Sequence, residues 1–93
     1  MKTIWKFTIP IQDEFEIRMP EGAKALTAFI QTPNREPSRS RSASLWAEVD
    51  TTAPMRTRRF AIMGTGHLSP TRIKKWIATF QDEPFIWHLY ELT

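Results

Sequence analysis

The sequence predicts a mainly β protein that folds as one antiparallel domain of 93 residues, covering 1–93. Three observations support this fold class. Apolar and polar residues alternate along most of the chain, turn-forming residues separate the alternating runs, and hydrophobic residues make up 41% of the sequence, close to the globular average. The number and spacing of the runs favour a small sandwich or a partly open barrel, with room for one short helix.

The first half of the chain predicts three strands and a loop. Residues 5–11 and 15–19 alternate between apolar and polar side chains, as half-buried strands do. Pro20-Glu21-Gly22 is a turn signal, and a third strand is predicted over 26–30. Residues 32–43 contain two prolines and an alternation of arginine with serine. This polar composition cannot build a core, so it predicts a flexible Arg/Ser-rich loop.

Three further strands are predicted in the second half. Residues 45–49 alternate, and residues 60–62 form a strand that runs into a glycine-rich turn. The final run, 85–92, is apolar on both faces. A strand of that kind lies inside a sheet or at an interface, because neither of its faces suits water.

Residues 69–81 fit both a helix and a strand. Ser69-Pro70 is a good helix start, and four apolar residues follow at helical spacing: Ile73, Trp76, Ile77 and Phe80. The stretch 76–81 also alternates, and 81–84 would join it to the last strand as a hairpin. We favour a helical turn over 70–75 followed by a strand.

Composition excludes several classes of protein. Without cysteine there are no disulfides, thiolate metal sites or cysteine nucleophiles, which fits a reducing compartment. No apolar run approaches the roughly 18 residues of a membrane helix, and residues 1–6 lack the apolar stretch of a signal peptide. We therefore expect a soluble, cytoplasmic protein that needs no metal or other cofactor and contacts no membrane.

The positive charge is concentrated in the middle of the chain. Residues 35–75 carry nine Lys and Arg against three acids, a net +6, whereas residues 76–93 carry three acids and no Lys or Arg, a net −3. Such separation favours an anionic ligand, nucleic acid or an acidic protein surface. The candidate contacts to a protein partner or to nucleic acid are Arg35, Arg39, Arg41, Trp46 and Arg56.

The four tryptophans do not all have the same predicted environment. Trp5, Trp76 and Trp87 share strand faces with phenylalanines, which predicts that they lie in the core. Trp46 differs, because the apolar residues of its strand occupy the opposite face. We therefore predict that Trp46 is an exposed aromatic residue suited to an interface or to base stacking.

The strongest candidate for a ligand site is the segment Gly64-Thr65-Gly66-His67. Glycine adopts positive φ without a Cβ penalty, so such a turn lets backbone N–H groups approach an anion closely. His67 would contact the ligand, and nearby arginines would neutralise its charge: Arg58, Arg59 and Arg72. No G-x-S-x-G, phosphate-binding loop or paired histidine motif occurs, so we expect no enzymatic activity.

Several short motifs carry a resemblance to a known family. They include the opening Lys2-Thr3-Ile4-Trp5-Lys6-Phe7, Leu45-Trp46-Ala47, Gly64-Thr65-Gly66-His67 and the closing Trp87-His88. In combination they resemble a family of small uncharacterised proteins of tailed phages and prophages, over nearly the whole chain. The resemblance implies a phage accessory protein that binds and blocks a host factor, such as a CRISPR-type defence component.

Three hypotheses about function follow from these features. The first is the phage accessory protein that binds a host protein in the host cytoplasm. The second is a sponge that sequesters a signalling nucleotide at the Gly64–His67 turn. The third is nucleic-acid binding through the basic middle of the chain. Edge strands and a small core also allow a homo-oligomer.

Overall fold

The computed structural model describes residues 1–31 and 42–93, and all of the regular structure in those residues is β-strand. Seven strands follow one another along the chain: β1 Lys2–Pro10, β2 Glu14–Pro20, β3 Lys24–Phe29, β4 Ser42–Asp50, β5 Met55–Gly64, β6 Ile73–Asp82 and β7 Phe85–Leu92. This confirms the predicted mainly β class.

The strands form two antiparallel sheets that pack against each other as one compact domain. One sheet has the order β1-β4-β3, and the other has the order β2-β5-β7-β6. β3 lies alongside β6, yet the two strands belong to separate sheets, so the sheets do not close into a barrel. Of the two architectures predicted, the small sandwich is the one observed.

The core lies between the two sheets and is built from the inward-facing residues of the alternating strands. Phe15 and Phe60 are opposite each other on β2 and β5, and their rings stack with centroids 5.8 Å apart. The largest fully buried side chains come from five of the seven strands: Ile9, Met19, Leu45, Val49, Phe60 and Leu89. β7 lies between β5 and β6, as its two apolar faces predicted.

Two predictions of local structure were wrong. No helical turn forms over 70–75, because β6 already begins at Ile73 and the residue before it, Arg72, has φ 64°. A left-handed residue ends a right-handed helix. Ser42 and Ala43 of the predicted loop belong to β4, where Ser42 pairs with Pro10. The other residues of that loop, 32–41, lie outside the described residues.

The predicted core positions of Trp5 and Trp76 were also wrong, whereas Trp87 is half-buried against the core. The register of β6 with β7 shifts between Trp76 and Ala78. This bulge turns Trp76 to the outer face, where it is 55% exposed. Trp5 is 36% exposed because β1 is an edge strand whose inner face the other sheet only partly covers.

An ion pair lies within the four-stranded sheet at one end of the core, and its arginine also bonds to the residue before β3. On β5, Arg58 donates from Nε and Nη2 to the two carboxylate oxygens of Glu91 on β7, at 2.8 Å each. Its Nη1 donates to the carbonyl of Ala23, which immediately precedes β3 in the other sheet. The side chains are 19% and 4% exposed, so this contact replaces solvent for both charges.

The protonation of Glu91 is set by two opposing effects. Burial raises the pKa of the Glu91 carboxyl, but the hydrogen bonds and charge of Arg58, with Lys74 and Lys75 adding to them, hold that pKa below its ordinary value of 4.5. A depressed pKa in the folded state stabilises the fold above pH 4.5, and this stabilisation is lost as the pH falls through the folded-state pKa.

We predict that Glu91→Gln lowers the free energy of unfolding by about 3 kcal/mol at neutral pH, because Arg58 stays buried without a charged partner. Urea unfolding measures the loss, which should shrink as the pH falls because the native carboxyl then becomes protonated too. Glu14→Gln is the matched control: its pair with Arg59 is exposed, so the cost should stay below about 1 kcal/mol. A Glu91→Gln cost that does not change with pH would contradict this assignment.

Candidate functional site

The predicted glycine-rich segment forms a tight turn at the end of β5. His67 N–H donates to the Gly64 carbonyl at 3.1 Å, which closes the turn. Gly66 has φ 89°, a conformation that residues with a Cβ rarely adopt. Gly64 is buried, whereas Thr65, Gly66 and His67 are exposed. The turn therefore lies at the surface, where a ligand could reach it.

Most of the backbone donors of this turn are already engaged. Gly64 N–H donates to Nδ1 of the His67 ring at 3.3 Å, and Thr65 N–H donates to the Ile86 carbonyl at 3.4 Å. With the His67 N–H bonded to Gly64, the turn leaves at most the N–H of Gly66 for a ligand. An anion-binding concavity needs several convergent N–H groups.

Gly64 is needed for close packing rather than for positive φ. A Cβ at this position would lie 3.0 Å from Cε1 and 3.2 Å from Nδ1 of His67, and 3.4 Å from Cζ3 of Trp87. The absence of a side chain at Gly64 lets the imidazole fold back against the end of β5. Gly64 thus makes room for the His67 ring, and Gly66 allows the positive φ of the turn.

The two predicted arginines of β5, Arg58 and Arg59, lie near the middle of that strand and well before this turn. Gly64 pairs with Trp87, whereas Arg59 pairs with Leu92, five residues further along β7. At roughly 3.4 Å per residue, that separates the two levels of the sheet by about 17 Å. Arg58 is committed to Glu91, and Arg59 donates to Glu14 at 2.7 Å.

Arg72 lies near the level of Arg59 in the sheet. The residue after it, Ile73, pairs with Leu92, and the Arg72 carbonyl accepts from the backbone N–H of Thr93 at 2.8 Å and from its hydroxyl at 3.2 Å. Arg59 and Arg72 are therefore brought to the same level of the sheet. The structure does not join them, or Arg58, to the glycine turn as one pocket.

A cleft of about 300 Å³ lies beside the turn, and its lining is acidic and apolar. It is bounded by His67, by carboxylate-bearing residues of β2 and the segment before it, and by apolar residues of β5 and the 67–70 segment: Asp13, Glu14, Ala61, Ile62, Met63, Leu68 and Pro70. The Asp13 carboxylate disfavours an anionic ligand, whereas the charge of Glu14 is balanced by Arg59, which donates to it at 2.7 Å. Within the described ranges, no group of three or more His, Asp or Glu side chains is placed to hold a metal ion.

A hydrogen-bonded chain of side chains crosses the outer face of the four-stranded sheet, and sequence reasoning missed it. The Nε2 atom of His88 lies 2.9 Å from the hydroxyl of Thr65, and its Nδ1 lies 3.0 Å from the hydroxyl of Thr79. Trp76 Nε1–H donates to that second hydroxyl at 3.1 Å. Both ring nitrogens of His88 are engaged, so the ring links β7 to β6 and to the end of β5. The predicted hairpin loop over 81–84 does not bring Thr79 opposite His88, so the observed β6–β7 register was needed to find this chain.

An apolar surface lies on the outer face of the three-stranded sheet, and we call it the aromatic face: Ile4 on β1, Phe29 on β3 and Trp46 on β4. The rings of Phe29 and Trp46 stack with centroids 4.5 Å apart and planes at 26°. Phe29 is 44% exposed and Ile4 is 58% exposed, while Trp46 is half-buried. Trp46 was predicted to be exposed, but it is half-buried because its ring stacks on Phe29.

Charged groups of both signs surround the aromatic face. Lys6 pairs with Trp46 across β1 and β4, and its Nζ donates to Oε1 of Gln31 at 2.9 Å. At the other end of β4, the hydroxyl of Thr52 and then its backbone N–H donate to Asp50, which lowers the pKa of Asp50 to about 2. Asp50 is therefore charged throughout the physiological range.

The remaining predicted contacts are not gathered at this face. Arg56 lies on β5, with its Nε 3.3 Å from the Glu21 carboxylate in an exposed pair. Arg35, Arg39 and Arg41 lie outside the described residues, in the segment that connects β3 with β4. Trp46 is therefore the one predicted partner contact that the described structure places on the aromatic face.

Comparison with known proteins gives a family and nothing more specific. The family model described as a domain of unknown function (DUF7352) matches residues 1–93. The chain belongs to this family. No curated protein and no solved structure matches it. The described residues contain no helix that could cross a membrane.

We predict that Gly64→Ala lowers the free energy of unfolding by about 1–2 kcal/mol, because the new methyl group meets the His67 ring. In a His67→Ala background most of this cost should disappear. Gly66→Ala is the control: nothing lies near its Cβ position, so its cost of about 1 kcal/mol comes from φ and should not depend on His67. Urea unfolding of these single and double variants measures the coupling, and a Gly64→Ala cost equal in both backgrounds would refute the packing role.

Proposed function

We propose that the protein is a non-enzymatic binding protein that acts by occupying a partner protein, and that its contact surface is the aromatic face. The observation that carries the proposal is the stacking of exposed Phe29 on half-buried Trp46, beside exposed Ile4 on one sheet face. Aromatic residues are enriched at the centres of protein interfaces, where they account for much of the binding energy. Charged residues around the face match the usual polar rim.

The stacked pair is better suited to binding than the exposed tryptophan of the other sheet. Phe29 and Trp46 already hold each other in a fixed geometry, so ordering them on binding costs little side-chain entropy. Trp76 instead donates its indole N–H to Thr79, within the chain that fixes His88. Its polar group is already used inside the domain.

The resemblance to small proteins of tailed phages and prophages supports a partner in the bacterial host. Under this proposal the protein acts in the host cytoplasm and blocks a host factor, a defence component of the CRISPR type being the favoured target. The basic middle of the chain would meet an acidic surface of that factor. The proposed additional contacts are Arg35, Arg39, Arg41 and Arg56.

The test compares two tryptophans on opposite outer faces. A partner retained from host lysate is identified and purified, and its affinity is measured by calorimetry. We expect Trp46→Ala to weaken binding by about 2 kcal/mol, roughly 30-fold, as for an interface hot spot. Trp76→Ala is the matched control and should leave the affinity unchanged. The proposal fails if Trp76→Ala weakens binding while Trp46→Ala does not, or if no specific partner is retained even at low salt.

Single-stranded nucleic acid is the second candidate partner, because aromatic rings with adjacent cations also bind bases and phosphates. Lys6 beside Trp46 is the observation that favours it. A labelled oligothymidylate should then bind with a salt slope of about −0.7 per phosphate contact, and Trp46→Ala should weaken it. Affinity that is independent of salt, or absent at low salt, would exclude this candidate. The nucleotide sponge has the least support, because the turn and the arginines that suggested it lie apart.

A further inference from the structure

β1 is a regular edge strand. It pairs with β4 over nine residues, from Lys2 opposite Asp50 to Pro10 opposite Ser42, without a register shift. Among the described residues it pairs with no other strand. An edge of this kind presents a row of backbone donors and acceptors that another strand can use.

The residues whose backbone groups face away from β4 can be identified. Thr51 N–H donates to the Met1 carbonyl at 2.9 Å, so residues 1 and 51 form a hydrogen-bonded pair. Antiparallel pairs alternate between bonded and non-bonded positions. The outward-facing set is therefore Lys2, Ile4, Lys6 and Thr8. Pro10 has the same parity, so its missing N–H removes no bond to β4.

The edge of β1 also exposes apolar side chains on both faces. Ile4 is 58% exposed on the outer face, and the next residue, Trp5, is 36% exposed on the inner face. An added strand would cover both side chains. The edges formed by β3 and β6 differ, because register shifts interrupt both strands and each lies alongside the other. Bulges and coverage are devices that protect an edge from pairing.

We propose that the edge of β1, with which no further described strand pairs, binds an extended, acidic segment of the partner protein as an additional β-strand. This inference rests on the proposed binding function, and it specifies how the partner is held. Main-chain hydrogen bonds would supply affinity, and side chains at alternate positions would supply specificity. Ile4 belongs both to this edge and to the aromatic face, so one partner would contact the two surfaces together.

The positive charge of β1 favours an acidic partner segment over a second copy of β1. β1 carries Lys2 and Lys6 and no acidic residue, and both lysines belong to the outward-facing set. Lys6 bonds to the neutral amide of Gln31, so its charge is not compensated there, while Lys2 lies 4.0 Å from Glu48 in an exposed pair. Pairing with a second copy of β1 would place four lysines along one ladder without a carboxylate from either strand. Opposite charges across a strand pair are favourable, and like charges are not.

Amide hydrogen exchange tests the edge directly with a synthetic nine-residue peptide that alternates glutamate and valine. In the free protein, the amides of Ile4, Lys6 and Thr8 should exchange at least roughly tenfold faster than those of Trp5 and Phe7. The glutamate peptide should slow the first set, and a counterpart with lysine in place of glutamate should not. Protection of the first set in the free protein would overturn the proposal, because the edge would already be occupied. Exchange unchanged by millimolar glutamate peptide would also overturn it.

A pair of variants at one position separates the backbone from the charge. Lys6→Pro removes an outward N–H and should abolish peptide binding, whereas Lys6→Ala keeps the N–H and should weaken binding less. Continued protection of Trp5 and Phe7 shows that the ladder with β4 is intact. Equal peptide affinity for Lys6→Pro and Lys6→Ala would overturn the strand-addition mode.

The two proposals can fail separately. If the affinity for the purified partner still depends on Trp46 while the peptide leaves the edge amides unchanged, the edge proposal fails and the proposed function stands. If the peptide protects the edge amides while Trp46→Ala leaves the affinity for the partner unchanged, the proposed contact face is wrong and the edge proposal stands.

Discussion

The buried pair of Arg58 and Glu91 constrains the structure on both sides of the core, because Arg58 is held by Glu91 within the four-stranded sheet and also donates to Ala23, next to the three-stranded sheet. A domain of 93 residues buries a limited apolar core and therefore has little stability to offset an unpaired buried charge. A charged side chain inside such a core needs hydrogen-bond and ion-pair partners. The planar guanidinium meets both carboxylate oxygens and still has a donor for the Ala23 carbonyl across the sandwich. This geometry links β5 and β7 to the start of β3. It also makes Arg58 part of the framework and unavailable to a ligand.

Strand faces were predictable from the sequence, but departures from regular pairing were not. The two apolar faces of the last strand predicted a position inside a sheet or at an interface, and β7 lies between β5 and β6. The bulge beside Trp76 is a property of the β6–β7 register, and Arg72, whose φ is positive, bonds through its carbonyl to Thr93, far along the chain. The sequence did contain a signal for the buried pair. Glu91 is two residues from Leu89 and Arg58 is two residues from Phe60, so each charged residue lies on the same strand face as a core residue. Its interpretation required the non-local pairing of β5 with β7.

The glycine-rich segment was correctly predicted as a turn, while the anion site built on it assumed that neighbours in sequence are neighbours in space. Along an extended strand, five residues cover about 17 Å, so the backbones of Arg59 and Gly64 lie at different levels of the sheet. Each glycine has a structural explanation, in the His67 ring for Gly64 and in positive φ for Gly66. Because these structural roles account for both glycines, the motif by itself is no evidence that the turn binds phosphate.

The aromatic face and the edge of β1 meet at Ile4, so a single partner segment could contact both surfaces. A backbone ladder binds almost any extended segment, so by itself it cannot select a partner. A stacked aromatic pair selects by shape and apolar character, but it fixes orientation poorly on its own. Combined on adjacent strands, the ladder would align the partner segment along β1, and Trp46 with Phe29 would then discriminate what lies beside it. Since the edges of β3 and β6 are interrupted by bulges and lie against each other, β1 is the edge of the three-stranded sheet at which a strand can add.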